Sequence, residues 1–270
     1  MTKLLNYHMQ GSGTPLVLVH GWGVSFTIWR ELLPLLRADY TLIVPELPGI
    51  GESPAPGAGG YYDVSAQALE DLRLALEIEQ WAVVGYSIGG WVVRNYVRAF
   101  RQSVMASVFV CLVRPIPPAA WLLGLLARID RRYPNSGDWV LSAWRLRLLI
   151  RLLGFNGRNH PLAGVWEAEI CRQPEPILKE TLRALPGRGR AALDLPANVP
   201  RGFIWGRADL LAPPRTGAEH VILRGTHALP MTAAPQVAQA IKFFVDRVAL
   251  AKTIGNTQAM PSLTHIWHKT

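Results

Sequence analysis

The sequence predicts an α/β fold in which a doubly wound, mostly parallel sheet carries a helical cap insert. Short apolar runs of strand length alternate with amphipathic helical runs, a pattern typical of parallel sheets covered by helices. One apolar run, residues 81–84, leads directly into Gly85-Tyr86-Ser87-Ile88-Gly89 and then into a helix-forming segment. The 270 residues, half of them apolar, are enough for one such core and a cap.

The predicted elements follow one another in a regular order. After a first hairpin near residues 4–8, we expect strands at 16–19, 40–44, 81–84, 104–111, 201–205 and 220–223, and helices at 26–36, 64–78, after Ser87 and at 236–248. We expect residues 1–111 and 196–250 to form one discontinuous core domain. Residues 112–195 would form the cap insert, and residues 251–270 a flexible tail.

Ser87 is the candidate nucleophile. A turn between strand and helix lifts a serine above the sheet edge, and Gly85 and Gly89 remove side chains that would collide there. A serine hydroxyl needs a histidine base and a carboxylate, which follow it in the order acid, then histidine. Asp209 comes after the strand 201–205 and His227 after the strand 220–223, so they are the candidate acid and base.

A tetrahedral oxyanion needs two backbone N–H donors. Ile88, the residue after the nucleophile, supplies one from the start of a helix. The loop His20-Gly21-Trp22-Gly23 follows the strand 16–19, and Trp22 is the candidate for the second donor. We expect His20 to brace this loop by hydrogen bonds rather than to transfer protons.

These motifs resemble those of the α/β-hydrolase superfamily. Within it, the loop 20–23 and the Trp205 that precedes Gly-Arg-x-Asp resemble the carboxylesterases that demethylate pimeloyl-acyl-carrier-protein methyl ester in biotin synthesis. The resemblance implies a carboxylesterase that works through an acyl-enzyme and needs no cofactor. It rests on residues 20–23 (His-Gly-Trp-Gly), 46–53 (Glu-Leu-Pro-Gly-Ile-Gly-Glu-Ser), 85–90 (Gly-Tyr-Ser-Ile-Gly-Gly), 205–213 (Trp-Gly-Arg-Ala-Asp-Leu-Leu-Ala-Pro) and 225–227 (Gly-Thr-His).

The chain departs from the family pattern at two places. Glu46 stands where the family usually has Asp, at a position that shapes a turn. His227 follows Asp209 by only eighteen positions, and the helix that normally lies between them is reduced to the loop 213–217. We expect this shorter wall to leave one side of the site more open.

The predicted cap holds most of the positive charge. Residues 112–195 contain twelve arginines and one lysine against seven acidic residues, a net charge of +6 out of +9 for the chain. Arg128 and Arg132 share one helical face, as do Arg147 and Arg151. The resemblance implies docking of an acidic acyl carrier protein there, while the simpler interpretation is that arginines keep a leucine-rich cap soluble. The same segment holds tryptophans that are candidates to line an acyl tunnel: Trp121, Trp139, Trp144 and Trp166.

Other features exclude several classes of protein. The two cysteines have no metal or redox spacing, His265 and His268 lack further ligands, and arginines interrupt every long apolar run. We therefore expect a cytoplasmic enzyme without metal or cofactor, without a secretory signal or stable membrane insertion, and without a nucleic-acid partner, acting on a small-molecule or carrier-bound acyl ester. A thioesterase, a C–C bond hydrolase, a perhydrolase and a non-catalytic ligand-binding relative remain alternatives.

Overall fold

A computed structural model of the chain describes residues 3–113, 150–157, 160–185 and 193–254. Within these ranges, seven strands form one sheet in the order β1-β3-β2-β4-β5-β6-β7. All neighbouring pairs are parallel except β1 with β3. The predicted α/β fold with a mostly parallel sheet is therefore confirmed for the core.

The strands match the apolar runs of the sequence. Every residue of β4 is buried, as expected for a central strand with helices over both of its faces. The bounds are β1 Tyr7–Gln10, β2 Thr14–Val19, β3 Tyr40–Pro45, β4 Trp81–Tyr86, β5 Val104–Val110, β6 Arg201–Gly206 and β7 His220–Leu223.

The helices pack in two groups, α1 with α7 and α2 with α3, and α7 also packs on β5 and β6. None of the helices in the described ranges is long and apolar enough to cross a membrane. Their bounds are α1 Leu33–Leu36, α2 Tyr61–Ala75, α3 Gly89–Ala99, α4 Pro161–Ile170, α5 Glu175–Arg183, α6 Leu229–Thr232 and α7 Ala234–Ile254; short helical turns span Phe26–Trp29, Arg101–Ser103 and Ile150–Gly154.

Three local predictions differ from the structure. The first strand, β1, pairs antiparallel with β3 and not with the adjacent β2, so the chain opens without a hairpin. The helix predicted at residues 26–36 is two short pieces, Phe26–Trp29 and α1, because Pro34 supplies no N–H and fits best in the first turn of a new helix. The last helix, α7, continues to Ile254 and so enters the segment predicted as a tail.

Glu46 shapes the turn that follows β3. Its Oε2 accepts hydrogen bonds from the Asn6 side chain at 2.8 Å and from the Glu52 N–H at 2.9 Å. A methyl group on Gly51 would lie 2.1 Å from the Glu46 carboxylate, and Gly51 has φ +56°, so only glycine fits there. The larger acid therefore performs the turn-shaping role expected at this position.

His20 joins the loop after β2 to the loop after β3. Its Nε2 accepts a hydrogen bond from the Leu47 N–H at 3.0 Å. The proton therefore lies on Nδ1, which donates to the Gly21 carbonyl at 2.9 Å. Burial, opposed by the Gly21 hydrogen bond and the Glu46 charge, lowers the pKa of His20 from 6.5 to about 4. As expected from the sequence, His20 braces this loop.

We predict that His20 makes folding stability depend on pH between 6.5 and 4. In this window the unfolded chain takes up a proton on His20 that the folded chain does not, so the free energy of unfolding falls as the pH falls. The shift corresponds to a loss of about 3 kcal/mol on complete passage through the window. Urea unfolding of the wild type and of His20→Gln between pH 7 and pH 4 measures it. The variant should be less stable at pH 7 but have a shallower acid slope; parallel slopes would contradict the prediction.

Candidate active site

Ser87 lies on a strained turn between β4 and α3. Its φ is +54°, a left-handed conformation that is uncommon for a residue with a side chain, and its N–H donates to the Val110 carbonyl at 2.9 Å. A methyl group on Gly85 would lie 2.7 Å from the Gly90 Cα, and one on Gly89 would lie 2.2 Å from the His20 carbonyl oxygen. The two glycines of the motif are therefore required by close backbone approach, as the sequence predicts.

The structure brings the other two predicted residues to Ser87. The His227 Nε2 lies 2.9 Å from the Ser87 Oγ, and the His227 Nδ1 lies 2.8 Å from the Asp209 Oδ2. All three side chains are buried. Asp209 follows β6 and His227 follows β7, so each side chain extends from the carboxyl end of a parallel strand.

The second oxygen of Asp209 is held by its own loop. The Oδ1 accepts hydrogen bonds from the N–H groups of Leu211 at 2.9 Å and Ala212 at 2.8 Å. These donors stabilise the charged carboxylate and orient its other oxygen toward His227. A carboxylate at Nδ1 selects the tautomer in which Nε2 accepts the proton of the Ser87 hydroxyl.

The connection between Asp209 and His227 contains no helix, and all of its residues are described. The reduced loop predicted at residues 213–217 is therefore confirmed. A methyl group on Gly206 would lie 2.6 Å from the Thr226 carbonyl oxygen, so the two loops touch where β6 ends. The short connection still closes the hydrogen-bonded chain because each residue is positioned by its own strand.

The candidate oxyanion donors flank Ser87. Ile88 precedes the first turn of α3, where the N–H groups lack carbonyl partners within the helix. The loop that carries Trp22 lies against the nucleophile, since a methyl group on Gly21 would be 3.0 Å from the Ser87 Cβ. The Trp22 indole donates to the Leu178 carbonyl at 2.9 Å, which ties this loop to α5.

Aromatic rings enclose His227. The Tyr86 hydroxyl donates to the His227 carbonyl at 2.9 Å, and the Tyr86 ring centroid lies 5.3 Å from the imidazole. Trp166 of α4 lies on a nearly parallel plane at 6.3 Å. Among the tryptophans proposed for an acyl tunnel, Trp166 is thus beside the site, while Trp121, Trp139 and Trp144 lie outside the described residues.

A small pocket, with room for about one water molecule, lies beside Ile88 and the loop His20–Gly23. Its opposite wall comes from Tyr61 and Tyr62 of α2 and from Leu178 and Thr181 of α5. The Tyr62 hydroxyl donates to the Thr181 carbonyl at 2.9 Å, which fixes α5 over the pocket. The pocket is mostly apolar and opens next to the candidate oxyanion donors.

Cys111 was not singled out by the sequence but contributes to the site. Its thiol, one carboxylate oxygen of Asp209 and one ring nitrogen of His227 lie within 4.8 Å of one another, and all three residues are buried. Burial, and secondarily the charge of Asp209, raises the pKa of the Cys111 thiol. A metal bound by this trio would have to displace the proton shared by His227 and Asp209, so the cluster suits a hydrogen-bonded acid and base better than a metal centre.

Parts of the predicted cap also touch the site loops. Asn156 donates to the Ala208 carbonyl at 2.6 Å, next to Asp209, and the Ala228 N–H donates to the Gly154 carbonyl at 3.3 Å, next to His227. Of the cap arginines proposed for docking, Arg151 is exposed. The others, Arg128, Arg132 and Arg147, lie outside the described residues.

Comparison with known proteins places this architecture in a family. The model of the alpha/beta hydrolase fold matches residues 14–156. A hydrolase from Oleispira antarctica has the same fold, with a TM-score of 0.75 at 20% identity over 90% of this chain and 94% of that one.

Sequence relatives agree with the fold. An uncharacterised protein of Mycobacterium tuberculosis is 28% identical over 77% of this chain, but the match spans only 65% of that protein's length. The pimeloyl-[acyl-carrier protein] methyl ester esterase of Photobacterium profundum is 26% identical over 91% of this chain and 100% of its own length. The enzyme of the same name from Vibrio vulnificus is 35% identical over 79% and 83%. The chain therefore belongs to the α/β-hydrolase fold family, in which the pimeloyl-[acyl-carrier protein] methyl ester esterases are among its relatives.

Proposed function

We propose that this protein is a serine hydrolase that cleaves a carboxylic ester through an acyl-enzyme. The observation that carries the proposal is the buried chain of hydrogen bonds from Asp209 through His227 to Ser87. A serine on a strained turn, a histidine in the accepting tautomer and a fixed carboxylate together form an activated nucleophile.

The mechanism follows from these positions. His227 takes the proton of the Ser87 hydroxyl as the Oγ attacks the ester carbonyl, and Asp209 stabilises the resulting imidazolium. The N–H groups of Trp22 and Ile88 hold the oxyanion. His227 then gives its proton to the leaving alcohol, and a water molecule, activated by the same histidine, releases the acyl group.

For the substrate we propose a carrier-bound methyl ester, as in the names of the Vibrio and Photobacterium relatives. The pocket beside the oxyanion donors has a mostly apolar lining, which is the chemistry that an acyl chain requires. The net charge of +6 in residues 112–195 suits an acidic carrier protein as the partner that delivers this chain.

The proposed mechanism predicts the effect of replacing Ser87 and His227. Ser87→Ala and His227→Ala should each lower the turnover of p-nitrophenyl butyrate by about 10⁴-fold or more with the fold intact, and the double variant should lose little more. Steady-state kinetics and circular dichroism check this. Losses that multiply in the double variant would mean that the two residues act independently and would contradict the proposed mechanism. Labelling with a fluorophosphonate should modify the wild type at Ser87 and leave Ser87→Ala unmodified.

Asp209→Asn should be milder than Ser87→Ala yet lower the turnover by about 10³-fold or more. The amide keeps the size of the carboxylate but stabilises the wrong tautomer of His227 and leaves the imidazolium without a counter-charge. The measurement is kcat/KM across pH for the wild type and the variant. Activity near that of the wild type would indicate that another carboxylate orients His227.

The cap arginines provide a test of carrier delivery. Replacing Arg128, Arg132, Arg147 and Arg151 by Glu should lower kcat/KM for an ester bound to acyl carrier protein. The kcat/KM for p-nitrophenyl butyrate should not change, because these charges act on the association with the acidic carrier and not on the chemical step. Raising the ionic strength from about 0.01 M to 1 M shortens the screening length from roughly 30 Å to 3 Å and should have the same selective effect.

A matched control changes the same charge on the core. Four exposed arginines outside the cap serve for this: Arg30, Arg37, Arg101 and Arg215. Their replacement by Glu should affect the carrier-bound ester less than the cap variant does. Equal effects of the two variants, or equal losses on both substrates, would leave the cap arginines with a role in solubility alone.

A further inference from the structure

Glu169 is a buried carboxylate for which the proposed chemistry gives no role. It lies on α4, within the segment predicted as the cap, and is only 7% exposed. Its Oε1 accepts hydrogen bonds from the Ser25 N–H at 3.0 Å and from the Ser25 hydroxyl, and its Oε2 accepts one from the Thr27 hydroxyl. Both partners lie in the segment that continues from Trp22, which we call the oxyanion loop and define as residues 20–27.

Two neighbouring contacts join the same loop to the cap helices. Gly23 has φ +67°, and a methyl group there would lie 2.5 Å from the Ile170 side chain, one residue beyond Glu169. On the other side, the Trp22 indole donates to the Leu178 carbonyl of α5 at 2.9 Å. The oxyanion loop is thus held between α4 and α5.

A carboxylate buried at this position is destabilising unless it is hydrogen-bonded, and the oxyanion loop supplies its donors. Burial raises the pKa of Glu169, against the hydrogen bonds from Ser25 and the charge of Arg172, and the charge of Glu46 adds to the rise. A buried carboxylate is stable only where donors converge on it. Here three donors from two loop residues do so, and they define where the backbone runs between Trp22 and Thr27.

We propose that Glu169 is a positioning residue of the oxyanion hole: by binding Ser25 and Thr27 it holds the loop in which the Trp22 N–H faces the reacting carbonyl. This inference rests on the proposed serine hydrolase function. Glu169 touches neither substrate nor Ser87, and it acts through the backbone of the oxyanion loop. A donor displaced by about 1 Å costs a large factor in rate, on the order of 10²-fold, so a residue that fixes the loop affects kcat.

Three variants separate positioning from packing. Glu169→Ala removes all three hydrogen bonds. Glu169→Gln retains hydrogen bonds to the same two residues, because the amide oxygen can accept from Ser25 and the NH₂ group can donate to the Thr27 hydroxyl. Glu167→Ala is the matched control, since it removes the same charge from the same helix two residues away.

The readout compares a substrate with a mimic of the oxyanion. Kinetics use p-nitrophenyl butyrate, and inhibition uses a butyl trifluoromethyl ketone. Ser87 Oγ adds to the ketone carbonyl, its proton passes to His227, and the resulting oxyanion occupies the hole. Titration of the active sites with a fluorophosphonate gives kcat per functional molecule.

We expect Glu169→Ala to lower kcat per active site by about 10- to 100-fold with little change in KM, and to raise Ki of the ketone by a similar factor. Glu169→Gln should stay within about threefold of the wild type, and Glu167→Ala should match it. An unchanged kcat in Glu169→Ala, a loss confined to KM, or a smaller number of titrated sites with normal kcat per site would overturn the proposal.

If Glu169→Ala does not fold, replacing the hydrogen-bond donors of Glu169 provides the same test. Ser25→Ala combined with Thr27→Val removes the hydroxyl donors and should reproduce the loss of kcat and the rise of Ki. If Glu169→Ala and the variant of Ser25 and Thr27 both fold, the triple variant should lose little more kcat than Glu169→Ala alone. Ser87→Ala in the same assay separates failure of the proposed function from failure of this inference. If Ser87→Ala retains turnover, the protein is not a serine hydrolase that uses Ser87. If Ser87→Ala is inactive while Glu169→Ala behaves as wild type, only the role of Glu169 is overturned.

Discussion

The candidate site depends on the parallel alignment of β4, β5, β6 and β7. Parallel strands end at the same edge of a sheet, so the turn after β4 and the loops after β6 and β7 meet there although their residues are 18 to 140 positions apart. The 2.8 Å and 2.9 Å hydrogen bonds of His227 depend on the register of these strands, because a shift by one residue would move the attached loop by about 3.3 Å.

Buried carboxylates mark the places where backbone geometry matters most in this molecule. Glu46 accepts hydrogen bonds within the turn after β3, and Asp209 accepts them from two N–H groups of its own loop. Glu169 accepts them from a loop in another part of the chain. In each case at least one backbone N–H donates to the carboxylate, and side-chain donors complete the set at Glu46 and Glu169. A charge satisfied in this way constrains the chain that satisfies it.

The features that the sequence predicts are those with a local signal. The turn at Ser87, the strands before Asp209 and His227 and the missing helix between them can be read from glycines, apolar runs and spacing within a few residues. The pairing of β1 with β3 could not be read, because it joins segments more than thirty residues apart. The role of Glu169 could not be predicted for the same reason, since its partners lie 142 and 144 residues away. In addition, an acidic residue in a helix is usually on a solvated face. Cys111 gives no spacing signal, since its neighbours are brought to it by β6 and β7.

The lengths of the strands have a consequence for self-association. Within the described sheet, the two outermost strands, β1 and β7, have four residues each, whereas every inner strand has six or seven. An outer strand presents unpaired N–H and C=O groups that can template the addition of a strand from another molecule, and a short one presents few. Pro213 and Pro214 precede β7 and cannot donate to such a ladder. The four-residue length of β1 and β7 therefore leaves little backbone at either edge of the described sheet on which a further strand could pair.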